Sequence, residues 1–444
     1  MKKFTFFLFL LLSFTLSAQT TVEIKHVDWS KNASIYEANI RQFSKEGTFK
    51  KFEDYLPELK KMNVGIIWLM PINPIGEKNR KRSLGSYYSV KDYKDINPEF
   101  GTKEDFKNLV DKIHELGMYV IIDWVANHTA WDHKWITTNP EFYTKDKERK
   151  MVSPFDWSDV ADLNYDNKDL RSEMTDAMKY WVSDFGIDGF RCDVAGMVPL
   201  DFWNDVRASL DKIKPVFMLA EASEPELQEK AFDMTYGWQY KDLFNDIAQG
   251  KKTAKDLADY IKNDEEKKYN PDSYRMIFTS NHDENSWSGT EFERLGDAAE
   301  TFLVLSNLLK GMPLCYSGQE AGFNKRLEFF ERDPIVWKEH KFRELYTKLF
   351  ALKKENKALW NGLSGGDLMI LKADNDETVF AFSRKKDNKE ILSVINLSPK
   401  SQKVYVHDNS ILGTYKNIIT GNSFQLEKNI TLEMKPWEYQ VWEK

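Results

Sequence analysis

The chain has 444 residues and a formal net charge of -7, and it is long enough for one large domain and a smaller one. An acidic chain without long basic runs lacks the cationic surface that nucleic-acid binding requires, which argues against a nucleic-acid partner. Some of its 14 tryptophans are candidate platforms for sugar rings, although most aromatic side chains pack in protein cores.

The first residues have the pattern of a secretory signal peptide. Two lysines at positions 2 and 3 precede an apolar run over 4–16, and small residues follow at 17 and 18. We predict that residues 1–18 are a signal peptide and that the protein is exported, either to a periplasm or to the medium. No stretch of about 18 apolar residues recurs later, so we expect no membrane insertion after the signal peptide is removed.

From residue 34 onwards, short apolar runs alternate with amphipathic segments. One such segment carries Phe106, Leu109 and Ile113 on one face and ends at Gly117, directly before an apolar run. Apolar runs bounded by helix breakers are typical of parallel strands buried on both faces. We predict an α/β protein with a (β/α)8 TIM barrel, whose eight strands lie at 35–39, 64–69, 118–123, 189–193, 216–220, 231–235, 275–280 and 313–317. The two cysteines, Cys192 and Cys315, lie in apolar runs and are predicted to be buried and unpaired.

Two segments interrupt or follow the alternation. The stretch from 128 to 165, with Trp, Pro and Asp, is longer than an ordinary loop. We predict a loop-rich inserted domain after the third strand, at about 129–165, that forms a wall of the active site. Later segments such as 378–382 and 391–395 are rich in strand-forming residues. We therefore predict a catalytic barrel over 19–360 and a C-terminal antiparallel β-sandwich over 361–444.

Four carboxylates lie at or just beyond the ends of predicted strands: Asp123, Asp193, Glu221 and Asp283. The carboxyl ends of barrel strands form the active site of TIM-barrel enzymes. Glycosidic bond cleavage needs one carboxylic acid and one carboxylate. Arg191 can keep Asp193 ionised as a nucleophile, whereas the apolar strand before Glu221 can raise the pKa of a general acid. A single such carboxylate could equally serve in a cap or a salt bridge, so the group of four carries the interpretation.

Four segments around these carboxylates resemble, in order, the signature regions of the α-amylase family, glycoside hydrolase family thirteen: 123–129, 189–193, 217–221 and 279–285. Further segments that resemble the family lie at 65–74, 88–102, 161–164, 311–320 and 394–398. The resemblance implies that Asp193 is the nucleophile, Glu221 the general acid/base and Asp283 the carboxylate that stabilises the transition state. It also implies a set of residues that bind the sugar at the cleavage point: Tyr88, which stacks on its ring, His128, Arg191 and His282.

The resemblance implies a retaining hydrolase that cleaves α-1,4-glucosidic bonds of starch-like polysaccharides or maltooligosaccharides through a covalent glucosyl-enzyme. Exo-acting members carry an aspartate three residues before the stacking tyrosine, and Gly85 stands there, so we predict an open, endo-acting cleft. Gly196 and Met197 replace the lysine and histidine of typical α-amylases, and residues 162–164 resemble neopullulanases and cyclomaltodextrinases. The alternatives are therefore an α-glucosidase, a cyclomaltodextrinase or neopullulanase, or an α-glucan transglycosylase. A non-catalytic glycan-binding protein is a further alternative, but it would be expected to lack one of the three carboxylates.

The resemblance also implies a possible structural calcium ion. In calcium-binding members an asparagine at the position of Asn127 and an aspartate at that of Asp162 help to hold the ion, and oxygen ligands suit Ca²⁺. The alternative is that Asn127 only connects the inserted domain to the barrel. We expect a monomer whose partner is its α-glucan substrate.

Overall fold

The computed structural model describes residues 24–408, 411–427 and 429–444, so the predicted signal peptide lies outside the described residues. Eight parallel strands form a closed barrel, in which the first strand pairs with the second and the last. These strands are β1 (Ile35–Ala38), β2 (Ile66–Leu69), β3 (Tyr119–Trp124), β6 (Gly189–Cys192), β7 (Phe217–Ala220), β8 (Met234–Tyr236), β9 (Tyr274–Ile277) and β10 (Met312–Tyr316), with β4 (His128–Ala130) and β5 (Val160–Asp162) in the insertion. The predicted TIM barrel is confirmed.

Helices alternate with the strands and surround the barrel. They are α1 (Ile40–Phe43), α2 (Phe49–Glu53), α3 (Leu56–Lys61), α4 (Lys103–Glu115), α5 (Trp135–Thr138), α6 (Lys168–Tyr180), α7 (Leu200–Leu210), α8 (Trp238–Ala248), α9 (Ala254–Tyr260), α10 (Glu266–Lys268), α11 (Glu291–Leu295), α12 (Ala299–Leu308) and α13 (Lys341–Glu355). Helix α4 begins with a capping box between Thr102 and Asp105. The segment 52–62 has helical spacing, and it forms the end of α2 and the whole of α3. Pro57 lies in the first turn of α3, where its missing N–H group costs least.

The barrel interior is apolar over most of its depth. Alternate strand residues point inward and pack as one buried cluster that includes Ile35, Trp68, Phe217 and Met276. Polar residues enter the barrel near the carboxyl ends of the strands, where Glu37 and Arg191 occupy the third position of β1 and β6 and are fully buried. The sequence therefore places a polar layer above an apolar one, and the functional groups belong to the upper layer.

An insertion and a C-terminal domain complete the chain. Strands β4 and β5 pair antiparallel and close the insertion, with His128 opposite Asp162. The C-terminal domain has a six-stranded sheet and a two-stranded sheet that enclose a common core. The six strands are β11 (Asp367–Ile370), β12 (Val379–Lys386), β13 (Lys389–Asn396), β15 (Gly413–Asn417), β16 (Ser423–Leu426) and β18 (Tyr439–Glu443), and the pair is β14 (Gln402–Val406) and β17 (Ile430–Met434). The antiparallel C-terminal domain agrees with the prediction.

Buried polar contacts join the C-terminal domain to the barrel. Arg384 of β12 is fully buried, and its guanidinium donates to the carbonyl oxygens of Leu308 and Leu309 at the end of α12. Cys192 and Cys315 are buried and free, as predicted. Among the described residues, no helix combines the length and the apolar character needed to cross a membrane.

Candidate active site

Arg191 joins three of the carboxylates that the sequence singled out. From β6, its Nη1 donates to Oδ1 of Asp123 at 2.8 Å and to Oδ1 of Asp193 at 3.0 Å. Its Nη2 lies 2.9 Å from Oε1 of Glu221. The guanidinium is fully buried, and Tyr236 accepts a hydrogen bond from its Nε at 3.1 Å. Because adjacent nitrogens of one guanidinium hold Asp193 and Glu221, their carboxyl groups lie close together.

Asp123 has a structural role in this cluster. Its Oδ2 accepts hydrogen bonds from the indole of Trp68 at 3.2 Å and from the hydroxyl of Tyr88 at 3.1 Å. With Arg191 on its other oxygen, the carboxylate is completely buried. Asp123 therefore fixes the Arg191 guanidinium and the Tyr88 ring relative to each other, and the buried charges compensate each other.

His282 lies between two carboxylates. Its Nδ1 is 2.5 Å from Oε1 of Glu37, and its Nε2 is 2.7 Å from the hydroxyl of Tyr88 and 3.3 Å from Oδ2 of Asp283. Burial alone would lower the pKa of His282, but the carboxylates of Asp283 and Glu37 outweigh burial and raise this pKa to about 9. His282 is thus a cation at neutral pH, able to donate hydrogen bonds to a sugar.

His128 differs from His282 in charge. It lies at the start of β4 on the insertion side of the cleft, with its ring 5.5 Å from the ring of Trp157. Burial lowers the pKa of His128 to about 4, and the carboxylate of Asp159 opposes this only in part. His128 is therefore neutral at pH 7, and the two histidines offer a sugar one neutral and one cationic contact.

The two carboxyl groups on Arg191 are coupled. Burial raises the pKa of Asp193, and the negative charge of Glu221 raises it further, while Arg191 opposes both effects. Burial likewise raises the pKa of Glu221, against the lowering by Arg191. The pKa of Asp193 is thus raised well above its usual range in spite of Arg191, so Arg191 by itself does not keep this carboxyl group ionised, and the roles of the two groups rest on their positions rather than on their pKa values.

The backbone after Asp193 is strained. Val194 has φ 37° and ψ 45°, a left-handed conformation that is costly for a β-branched residue. In this conformation its N–H group donates to Oε2 of Glu221 at 2.7 Å. The strained peptide thus fixes the second oxygen of Glu221, while Arg191 binds the first.

A cleft of about 480 Å³ opens above these groups. Its lining contains the residues predicted from the sequence to act on the sugar: Tyr88, His128, Asp193, Glu221, His282 and Asp283. Arg191 lies beneath them. The insertion contributes Trp157 to the lining, which also contains Trp287, Phe329 and Phe330, whose rings contact one another. Aromatic faces of this kind suit the apolar faces of sugar rings.

Two family models match the chain. One described as alpha amylase, catalytic domain, matches residues 13–396, and one described as alpha amylase, C-terminal all-beta domain, matches residues 370–442. The chain belongs to the α-amylase family. It is accordingly a glycoside hydrolase of that family, as the sequence predicted.

Relatives along the whole chain agree. Alpha-amylase 3 of Dictyoglomus thermophilum is 25% identical, and the match covers 96% of each chain. The crystal structure of a noncanonic maltogenic alpha-amylase, AmyB from Thermotoga neapolitana, has a TM-score of 0.86 at 31% identity and covers 94% of this chain and 99% of that one. The structure of an alpha-amylase from Lactobacillus plantarum has a TM-score of 0.83 at 31% identity, with the same coverage. Cyclomaltodextrinases are also among the relatives, with 25% identity for the one from Geobacillus thermopakistaniensis over 89% of this chain and 70% of that one.

Asn127 and Asp162 are the two calcium ligands that the resemblance implies. The Asn127 amide nitrogen lies 3.2 Å from Nδ1 of His128, and Asp162 is half-buried on the opposite strand of the β4–β5 pair. Across the described ranges, no group of three or more His, Cys, Asp or Glu side chains is arranged to hold a metal. Two side chains fall short of the six to eight oxygen ligands that Ca²⁺ takes. The structural calcium ion therefore stays a prediction, in which Asn127 and Asp162 would be two of the ligands.

Sequence reasoning missed three buried groups that hold the predicted site residues: Glu37, Trp68 and Tyr236. Each contacts a predicted residue, and although Glu37 and Trp68 lie in predicted strands, none of the three was singled out for a role in the site. Glu37 carried a usable signal, because a carboxylate within the otherwise apolar strand β1 must find a buried partner. Trp68 and Tyr236 gave no such signal in the sequence, since buried aromatic residues are common in barrel cores.

The contact between Glu37 and His282 gives a prediction for the pH dependence of activity. In Glu37→Gln one of the two carboxylates that raise the pKa of His282 is lost, so the imidazolium loses its proton at lower pH. We expect the alkaline limb of the kcat/KM profile to move down by about one pH unit, which corresponds to ~1.4 kcal/mol of lost interaction. Rates of maltoheptaose hydrolysis between pH 5 and pH 10 measure this shift.

Glu320→Gln is the matched control. Glu320 is an equally buried carboxylate, but it accepts hydrogen bonds from Tyr36 and Tyr55 on the outer side of β1. Its replacement should change stability and leave the alkaline limb in place. An unchanged alkaline limb in a folded Glu37→Gln variant would contradict the role of Glu37 in positioning and charging His282.

Proposed function

We propose that the protein is a retaining hydrolase of α-1,4-glucosidic bonds in starch-like polysaccharides or maltooligosaccharides. The observation that carries this proposal is the Arg191 guanidinium, which holds Asp193 and Glu221 side by side at the floor of the cleft. Retaining glycosidases need their two carboxyl groups close together, about 5 to 5.5 Å apart, because one of them must reach the anomeric carbon.

In the first step Asp193 attacks the anomeric carbon of the sugar that stacks on Tyr88. The bond from that carbon to the glycosidic oxygen breaks, and Glu221 gives its proton to this oxygen as the remaining chain leaves. Arg191 binds Oδ1 of Asp193, so Oδ2 is the attacking oxygen. The carboxylate of Asp283 stabilises the positive charge of the oxocarbenium-like transition state, and His128 and His282 donate hydrogen bonds to the hydroxyl groups of the sugar.

In the second step a water molecule takes the place of the leaving chain. Glu221, now ionised, removes a proton from the water, and the water oxygen displaces Asp193 from the anomeric carbon. Two inversions at the same carbon give net retention. The hydrogen bond from Val194 and the ion pair with Arg191 keep Glu221 in one position for both proton transfers.

The alternative specificities, the mode of attack on the chain and the export of the protein remain predictions. The relatives named maltogenic amylase and cyclomaltodextrinase keep those specificities, and transglycosylation, open as alternatives with the same residues. A purely glycan-binding protein is disfavoured because all three carboxylates are present in the cleft. Endo action stays a prediction that rests on Gly85 at the position three residues before Tyr88. Export rests on the pattern of residues 1–18.

Maltoheptaose hydrolysis followed by proton NMR tests the proposal. The new reducing ends should appear first as α-anomers, before mutarotation produces β-anomers, and cellohexaose, with β-1,4 bonds, should not be cleaved. β-Anomers as the first product would contradict the double displacement. Failure to hydrolyse any α-1,4-glucan would contradict the proposed activity itself.

A further inference from the structure

His282 and Asp283 lie in a turn that begins two residues after β9 and covers residues 279–285, here called the β9 turn. The side chain of Asp283 lines the cleft, is 40% exposed and contacts the neighbouring His282. An exposed carboxylate of this kind depends for its position on the backbone that carries it. The hydrogen bonds that hold the β9 turn therefore contribute to the geometry of the site.

Glu291 holds the first residue of the β9 turn. It begins α11 and is 3% exposed, and its Oε2 accepts hydrogen bonds from Oγ1 of Thr279 at 3.1 Å and from Nε2 of Gln319 at 2.6 Å. Oε1 of Gln319 in turn accepts from the backbone N–H of Tyr316 in β10 at 2.8 Å. Arg294 of α11 donates to the carbonyl oxygen of Thr279 at 2.6 Å. Both the hydroxyl and the carbonyl group of Thr279 are thus fixed.

Asn285 holds the last residue of the same turn. Its side chain is buried, and it accepts from the backbone N–H of Leu327 at 2.9 Å and donates to the carbonyl oxygen of Lys325 at 3.1 Å. The residues Glu284–Ser288 form one π-helical turn, a feature that occurs frequently at functional sites. The β9 turn is therefore attached at both ends to the segment that follows β10.

The second oxygen of Glu291 is not used in the same way. Its Oε1 is buried and has no hydrogen-bond partner among the described residues. An unsatisfied buried oxygen lowers the stability of a fold. Burial raises the pKa of Glu291 to about 7, against the hydrogen bonds from Gln319 and Thr279 and the charge of Arg294. Stability alone therefore gives little reason for a carboxyl group at this place, whereas Oε2 lies where it can hold Thr279.

We propose that Glu291 is a positioning residue for the reaction, which through Thr279 and Gln319 holds the β9 turn so that Asp283 faces the anomeric carbon. This inference rests on the proposed function and deepens it. Glu291 is absent from the cleft lining among the described residues, so it acts through the turn and not on the sugar. Asp283 acts on the charge of the transition state, so an error in its position should lower kcat and leave KM nearly unchanged.

Glu291→Leu tests this role, because it removes the hydrogen-bond acceptor from a side chain of similar size. We expect kcat for maltoheptaose to fall by about tenfold or more, with KM within about twofold of the wild type. Glu291→Gln should restore most of kcat, because its amide oxygen can accept from Thr279 and Gln319. Steady-state kinetics at pH 6 give the comparison, since Glu291 has a pKa of about 7 and is mostly neutral there, as glutamine is.

Thr279→Val is the second variant, for the case that Glu291→Leu does not fold. It removes the hydroxyl group with little change of shape and should also lower kcat at constant KM. The double variant should lose no more kcat than Glu291→Leu alone, because both changes break the same contact.

Glu265→Leu is the matched control. Glu265 is also a buried carboxyl group tied to β9, but it binds Nε of Arg275 near the start of the strand, at 2.9 Å. Its replacement should lower the free energy of unfolding and leave kcat unchanged.

Three results would overturn the positioning role: a wild-type kcat in folded Glu291→Leu and Thr279→Val, equal losses in Glu291→Leu and Glu291→Gln, or a rise in KM at constant kcat. Circular dichroism and thermal unfolding show whether each variant is folded. Failure of the wild-type protein to hydrolyse maltoheptaose would instead refute the proposed function, so the two failures are distinguishable.

Discussion

Asp193→Gly is expected to lose hydrolysis of maltoheptaose by about 10⁴-fold or more, as removal of a nucleophile does in other hydrolases. Addition of azide should restore cleavage of maltosyl fluoride, because the missing side chain leaves room for a small anion beside the anomeric carbon. The product should be the β-glycosyl azide, since one displacement without an enzyme carboxylate inverts the configuration. Product NMR and the rate as a function of azide concentration measure both effects.

Asp193→Asn separates chemistry from folding. It has nearly the shape of the native side chain and can still approach Arg191, so its free energy of unfolding should stay close to that of the wild type. It should be as inactive as Asp193→Gly, but azide should not rescue it, because no space is created. Substantial hydrolysis by a pure Asp193→Asn preparation would contradict the nucleophile assignment, as would an α-azide from Asp193→Gly.

The barrel could be predicted because its signal is local. Short apolar runs between helix breakers occur eight times, and in a parallel sheet covered on both faces such runs have few alternatives to being strands. Strand β8 is predicted at 231–235, and the structure has it at Met234–Tyr236. Asp233 lies within the predicted range, directly before the observed strand. It is a buried carboxylate paired with His26 and Arg207, and no apolar pattern can indicate such a residue.

The central carboxylates could be predicted because the topology of a barrel gathers strand ends at one rim. The groups that hold them could not. Glu37 and His282 are 245 positions apart and meet only because β1 closes the barrel against β10 near the end of β9. Such a contact depends on barrel closure and on the direction of each strand's alternate residues, and a single sequence contains neither.

Glu221→Ala is expected to lose hydrolysis of maltoheptaose by about 10³-fold, within the range that general acid catalysis contributes. The reason is that the leaving chain must then depart without a proton. Maltosyl fluoride needs no such proton, because fluoride leaves unprotonated, so formation of the maltosyl-enzyme from it should stay close to the wild-type rate. Hydrolysis of the covalent intermediate, which releases the sugar from Asp193, should be slow, because the general base is missing as well.

Azide should accelerate that second step and give the α-glycosyl azide, because Asp193 is still present and two displacements occur. The opposite configurations from Asp193→Gly and Glu221→Ala would assign the roles without reference to any relative. A β-azide from Glu221→Ala, or an equal loss in the rate of forming the covalent intermediate from maltosyl fluoride and from maltoheptaose, would contradict the acid/base assignment and exchange the roles of the two carboxylates on Arg191.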